Sequence, residues 1–202
     1  MKFKFDSKQQ YQLDAIDAAV DLFEGQPADA GRFVDKLRGQ LGVEAEQSAL
    51  DSDAGEQAEI ALEIGAVGNN LVIDDETILQ NLQRIQERNG LMPAKELVDG
   101  LQFDVEMETG TGKTYVYLRT IFELAQKYGF TKFVILVPSV AIREGVNTSI
   151  ELMRSHFNEL YPTLPFDHYV YSGDDAEQVQ SFATSTAVQI MVMTVASIKG
   201  DK

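Results

Sequence analysis

Cysteine is absent from this 202-residue chain, and with it go a disulfide scaffold, a thiolate metal site and a cysteine nucleophile. Histidine occurs only at His156 and His168, neither with a partner at metal-ligand spacing, so a histidine metal centre is not expected. No apolar run approaches the about 20 residues that cross a bilayer. The charged start, Met1 to Lys8, has no apolar segment behind it and does not read as a signal peptide. These absences predict a soluble, cytoplasmic protein with no membrane partner. Basic residues are the last shortage, 17 Lys and Arg against 32 Asp and Glu, for a formal net charge of −15. So negative a chain repels nucleic acid on average, because backbone phosphates attract clustered Lys and Arg.

What remains is an ordinary globular composition, 44% hydrophobic and 24% charged, long enough to bury a continuous core. The acidity is uneven. Between Glu24 and Ile64 ten acids face three bases, whereas from Leu101 to Leu160 seven acids face six bases. The nearly neutral second half leaves room for a local anion site.

Leu13, Ile16, Val20 and Phe23 recur at helical spacing after a short, extended Phe3 to Phe5, and Gly25 with Pro27 stops that first helix. Residues 26–55 are rich in Ala, Gly, Asp, Glu and Gln and read as a weakly specified insertion whose one helical stretch is Phe33 to Leu41. Ile60, Leu62 and Ile64 alternate with polar or small residues, and Gly68-Asn69-Asn70 leads into Leu71-Val72-Ile73, which predicts a β-hairpin. Asp74 or Asp75 then caps a helix with Ile78, Leu82 and Ile85 on its apolar face, closed by Asn89-Gly90.

From Gln102 the rhythm becomes strand and helix in alternation. Phe103 to Met107 reads as a buried strand, Gly110 to Gly112 as a turn, and Leu118, Ile121, Phe122 and Ala125 as a helix ended by Gly129. Next come a strand at Phe133 to Val137, a helix with Ile142, Val146, Ile150, Met153, Phe157 and Leu160 on one face, and a strand around His168 to Tyr171. A short helix after Gly173-Asp174-Asp175 and a strand at Val188 to Val195 complete the series. Such alternation predicts an α/β domain with a parallel sheet.

The chemistry sits at Thr109-Gly110-Thr111-Gly112-Lys113-Thr114. Glycines between a strand and a helix let successive N–H groups face one point, where the helix N-terminus adds partial positive charge. In that cradle Lys113 reaches the β- and γ-phosphates of a nucleotide, and the Thr114 hydroxyl completes a magnesium shell. The strict pattern wants a glycine where this chain has Met107, so it is met only in part.

Met107 to Thr114 resembles the phosphate loop of superfamily 2 helicases, and more narrowly the restriction (Res) subunit of type III restriction-modification enzymes. Tyr11-Gln12-Leu13-Asp14-Ala15-Ile16 resembles the family's glutamine motif. Val137-Pro138-Ser139 with Arg143 resembles the motif after its second core strand, and Met193-Thr194-Val195-Ala196-Ser197 its next nucleic-acid-facing motif. The resemblance implies an incomplete RecA-like P-loop NTPase domain using ATP and Mg2+, with Lys113 as the catalytic cation and Gln12 on the adenine. It also implies Ser139, Arg143 and Thr194 on double-stranded DNA and a modification methyltransferase subunit as partner. The family's Asp-Glu magnesium motif, second RecA-like domain and nuclease domain follow these elements, so the chain is expected to be an N-terminal fragment, inactive alone.

Each of these residues also has a plainer reading: Gln12 on a solvated helix face, Ser139 as a helix cap, Arg143 as a solvated arginine, Thr194 as a strand residue. Two other functions stay open, a nucleotide-binding module without turnover and a P-loop enzyme unrelated to nucleic acid, such as a small-molecule kinase. The expected organisation is a glutamine-motif helix in 1–25, an acidic insertion with hairpin and helix in 26–100, and the RecA-like body in 101–202.

Overall fold

The computed structural model describes residues 5–28, 67–171 and 176–199. Helix α1, Gln10–Val20, runs into a 3₁₀ turn at Asp21–Phe23, and the chain leaves through Gly25 at φ +98°. Helix α2, Asp75–Arg88, begins at Asp74, whose carboxylate accepts from the Thr77 N–H at 2.8 Å. Asp75 and Glu76 in its first turn and Arg88 in its last complement the helix dipole. Helix α3, Lys113–Tyr128, is closed by left-handed Gly129. Strand β1, Lys132–Val137, helix α4, Val140–Leu160, strand β2, Phe166–Val170, helix α5, Ala176–Thr184, strand β3, Val188–Thr194, and the short helix α6, Val195–Lys199, follow.

The strands form a parallel sheet in the order β1-β3-β2, with Lys132 opposite Gln189 and Phe166 opposite Val188. β3, flanked on both sides, is buried along nearly its whole length. Val188, Ile190 and Val192 join Phe166, with Phe133 and Ile135 packed alongside, in a core with the apolar faces of α3 and α4. Its centre is aromatic: Phe122 stacks on Phe157 and Tyr161 at centroid distances of 4.7 and 5.2 Å and meets Phe166 edge-on at 4.9 Å. On the sheet's other face the Phe182 ring of α5 meets Tyr169 and lies under the Lys132 ammonium, whose burial lowers its pKa to about 8. A smaller core of Ile16, Val20, Val116, Tyr128 and Phe130 fixes α1 on α3.

Most of the expected elements form, with α1, α2, α3, α4 and the three strands close to their predicted positions. Three expectations change. Phe103 to Met107 is not a strand: no described strand lies beside it to complete a ladder, so only Phe103 and Met107 are half-buried and Val105 is 49% exposed. Leu71-Val72-Ile73 is irregular because the Gln26 side chain captures it, donating to Asn70 O and accepting from Val72 N, both at 2.9 Å. Ile142 lies in the exposed first turn of α4 rather than in the core. The other half of the predicted hairpin, Ile60 to Ile64, the helix Phe33 to Leu41 and most of the extended start Phe3 to Phe5 lie outside the described residues.

Candidate nucleotide site

The loop ahead of α3 depends on two glycines for different reasons. Gly110 has φ +84°, and a side chain there would meet open space; Gly112 has φ +87°, and a Cβ there would lie 2.6 Å from the Gln12 amide nitrogen. Gly112 is also the N-cap of α3 and makes no side-chain capping bond to the first-turn N–H groups. Those N–H groups and the positive helix end are therefore presented to solvent-borne anions.

Inside the loop, the Thr111 hydroxyl and the Lys113 ammonium both donate to the Glu108 carbonyl at 2.7 Å. Lys113 is thus folded back on its own loop with its ammonium at the mouth, while Thr114 is half-buried beside it. Gln12 is 8% exposed and donates to the Thr111 carbonyl at 2.9 Å, so two segments far apart in sequence meet here. The fold positions this contact through Ile16 and Val20, one and two turns further along α1, packed against Val116 of α3. A groove of about 950 Å³ opens beside the loop between α1, α2 and residues 103–108; Tyr11, Thr111, Leu22, Ile85 and Phe103 line it, with Asp14 and Glu108 on its wall. Tyr11 thereby reaches the loop's neighbourhood, whereas Phe5 lies on Tyr115 and His156.

Ser139, Arg143 and Thr194 gather at the carboxyl end of adjacent strands, where Val137 of β1 pairs with Thr194 of β3. Each is already engaged. Ser139 caps α4, its hydroxyl 3.4 Å from the Ile142 N–H. The Arg143 side chain is 16% exposed, donating to Glu144 at 3.0 and 3.2 Å and to the Tyr171 carbonyl at 3.4 Å. Thr194 is 5% exposed and caps α6, accepting from the Ser197 N–H at 3.2 Å. Sequence reasoning did not single out Glu144, which only its nearness to Arg143 could have drawn notice to, and quoted Ser197 within its motif without giving it a role.

Neither histidine belongs to this site. His156 accepts or donates across 3.0 Å to the Tyr115 hydroxyl, and its pKa is lowered by burial and then by Arg119. His168 faces Arg154 through Nδ1 at 2.7 Å and Asn147 through Nε2 at 3.0 Å. Since a guanidinium can only donate, Nδ1 must accept, and the neutral ring carries its proton on Nε2.

A glycine turn with lysine and threonine at a helix N-terminus, set against a parallel sheet, defines a P-loop α/β domain of helicase-like, RecA-like type. The family model described as "Type III restriction enzyme, res subunit" matches residues 70–202, and the chain belongs to that family. It is 33% identical over 126 residues to the EcoPI Res subunit of Escherichia phage P1, covering 60% of this chain and 13% of that protein. It is 42% identical over 101 residues to the StyLTI Res subunit of Salmonella typhimurium, covering 49% of this chain and 10% of the relative. With the EcoP15I Res subunit of Escherichia coli it shares 35% identity over 95 residues, 45% of this chain and 10% of the relative. The chain therefore spans only about a tenth of the length of these relatives.

Proposed function

We propose that this chain is the N-terminal ATP-binding portion of a DNA-translocating type III restriction subunit, an ATP-dependent endonuclease with a helicase-like motor. Residues 101–202 serve as the body, 1–25 as the glutamine-motif arm and 26–100 as an acidic insertion. The parent complex acts on double-stranded DNA and includes a modification methyltransferase subunit. The observation that carries this reading is the junction at Gly112, where the open N-terminus of α3, the Lys113 ammonium and the Gln12 amide converge on one loop.

The residues fit a nucleoside triphosphate with Mg2+. An approaching phosphate would meet the N–H groups at the start of α3, which no N-cap side chain covers, and Lys113 needs only to leave the Glu108 carbonyl to supply its charge. The Thr114 hydroxyl, on the first turn, is the side chain that would hold magnesium, and Gln12, which bonds to Thr111, would take the base, with Tyr11 of the adjoining groove beside it. ATP supplies the phosphoanhydride whose cleavage drives movement; these residues bind it and orient its phosphates. Ser139, Arg143 and Thr194 are assigned to DNA phosphates, at the strand ends where α/β sheets bind ligands. Chemistry of this kind holds a duplex without reading its sequence.

A second reading, a nucleotide-binding module without turnover, is favoured by a separate observation. Asp74, which ends the hydrophobic segment Leu71-Val72-Ile73, is spent on capping α2 rather than on magnesium. A small-molecule kinase is disfavoured, because Arg119, Arg143 and Arg154 are each tied to their own chain rather than held over the loop. Calorimetry with ATP and Mg2+ tests the site: Lys113→Ala should weaken binding by about 1.5–3 kcal/mol, the scale of a charge-assisted hydrogen bond. Equal affinity in the two proteins would remove the loop from the argument.

A further inference from the structure

Helix α1 brings Gln12 to the phosphate loop, yet its beginning is weakly made. Gln9, at the N-cap, makes no side-chain capping bond, and no acidic residue occupies the first turn to complement the dipole. Such a turn frays unless something outside the helix holds it. Gln12 lies within it, and its N–H and that of Leu13 both bond only back to the Gln9 carbonyl, at 3.0 and 3.1 Å.

The hold comes from α3. Arg119 is 13% exposed at its side chain and sends Nη1 to the Ser7 carbonyl at 2.7 Å, two residues ahead of Gln9. Its Nε faces the Tyr161 hydroxyl at 3.2 Å and Glu123 at 3.4 Å, and Tyr161 in turn donates to Glu123 at 2.5 Å. The guanidinium is thus locked by Glu123 of α3 and by Tyr161, the residue that ends α4, and has one arm committed to the chain entering α1. Phe5 reinforces the same strap, its ring 6.3 Å from Tyr115 and 5.4 Å from His156. Lys8 N–H to Asp6 at 3.0 Å closes the turn between them.

We propose that Arg119 is a positioning residue for the nucleotide site: by holding the Ser7 carbonyl it pins the uncapped first turn of α1 and keeps Gln12 on the Thr111 carbonyl of the phosphate loop. The inference rests on the reading that this loop binds ATP. Because Arg119 acts through Gln12, its removal costs nothing further once Gln12 is gone, whereas a residue that merely supports the fold would lower affinity in either background.

The experiment uses the full chain and ATP with Mg2+ in calorimetry, comparing wild type, Arg119→Met, Gln12→Ala, the double variant and Lys113→Ala, with amide hydrogen exchange read at Leu13. Arg119→Met should weaken ATP binding by about threefold to tenfold, as Gln12→Ala does, with the double variant no weaker than either, since one hydrogen bond is at stake in all three. Exchange at Leu13 should speed up while amides in the centre of α3 stay protected. Arg119→Lys, which keeps the charge but not the fork, should recover only part of the affinity. Phe5→Ala loosens the same strap at its other anchor, Tyr115 and His156, with the Arg119 bonds left in place, and should repeat the pattern, which keeps the inference testable if Arg119→Met does not fold. Wild-type affinity and exchange in Arg119→Met and Phe5→Ala, beside a weakened Gln12→Ala, would overturn the inference alone; so would losses that simply add. Equal ATP affinity in wild type and Lys113→Ala would overturn the nucleotide reading and this inference with it.

Discussion

Gly110 and Gly112 share a left-handed backbone but differ in what surrounds them, and that difference is measurable. Placing alanine at Gly110 should cost only the left-handed conformation, about 1–2 kcal/mol, because its Cβ would meet nothing within 4 Å. At Gly112 the same cost applies, and the new Cβ would also lie 2.6 Å from the Gln12 amide nitrogen. That nitrogen cannot retreat freely, since it donates to Thr111 O at 2.9 Å and the side chain is buried. Pushing it away forfeits a hydrogen bond of about 0.5–1.5 kcal/mol, so Gly112→Ala should cost about 1.5–3.5 kcal/mol in all. Urea denaturation followed by circular dichroism would compare the two variants. In Gln12→Ala the clash has no partner, and the added cost of Gly112→Ala should fall back to the value at Gly110. Equal costs at the two glycines in the wild-type background, or no relief from Gln12→Ala, would refute the idea that this contact sets the loop.

Burial, and then Arg154 for His168 and Arg119 for His156, hold both imidazoles below their ordinary value of 6.5, so each ring is neutral in the fold and binds protons more readily when unfolded. Stability should therefore be complete above pH 6.5 and be lost as pH falls from there through the folded-state midpoints; a proton NMR titration placing either midpoint above 6.5 would contradict this. The Asp74 carboxylate, held below the usual range by hydrogen bonds from Thr77, should stabilise α2 above that range and lose its effect in acid, so Asp74→Ala should melt earlier than wild type at neutral pH and converge with it at low pH. The chain alone should show no magnesium-dependent ATP turnover with or without double-stranded DNA, and robust turnover abolished by Asp75→Asn would instead make the acids at the start of α2 catalytic. DNA binding should be weak, indifferent to sequence and lost with salt; a sequence-specific or salt-independent complex, measured by fluorescence anisotropy, would exclude phosphate contacts from Ser139, Arg143 and Thr194.

The helices and the three strands could be read from sequence because their periodicity records a real boundary between core and solvent: Val146, Ile150, Met153 and Phe157 are buried as their spacing requires. Gly112-Lys113-Thr114 was legible for a similar reason, since a short local motif carries its own geometry. Phe103 to Met107 shows where such reading ends. Its apolar positions satisfy a strand pattern, but a strand also needs a neighbour, and pairing is not encoded in the segment itself. Ile142 matched the helical face and still lies exposed in the first turn of α4, because periodicity marks a face without saying how far along it the packing extends. The bond from Gln12 to the loop and the grip of Arg119 on Ser7 join residues about a hundred positions apart, and no spacing rule announces them.

The order of the sheet bears on how the chain must be made. The middle strand, β3, is the last of the three to leave the ribosome, and β1 and β2 have no ladder with each other. Among the described residues neither outer strand has a partner until Val188 to Thr194 has been synthesised, while Phe122, Phe157 and Phe166 are already present with no Ile190 or Val192 to cover them. Helices α3 and α4 can form early from local contacts, but these three strands pair only once β3 is present, which makes this an assembly of high contact order. Nascent chains stalled anywhere between β2 and β3 should expose a sticky aromatic surface and recruit chaperones, and that exposure should end abruptly once β3 emerges.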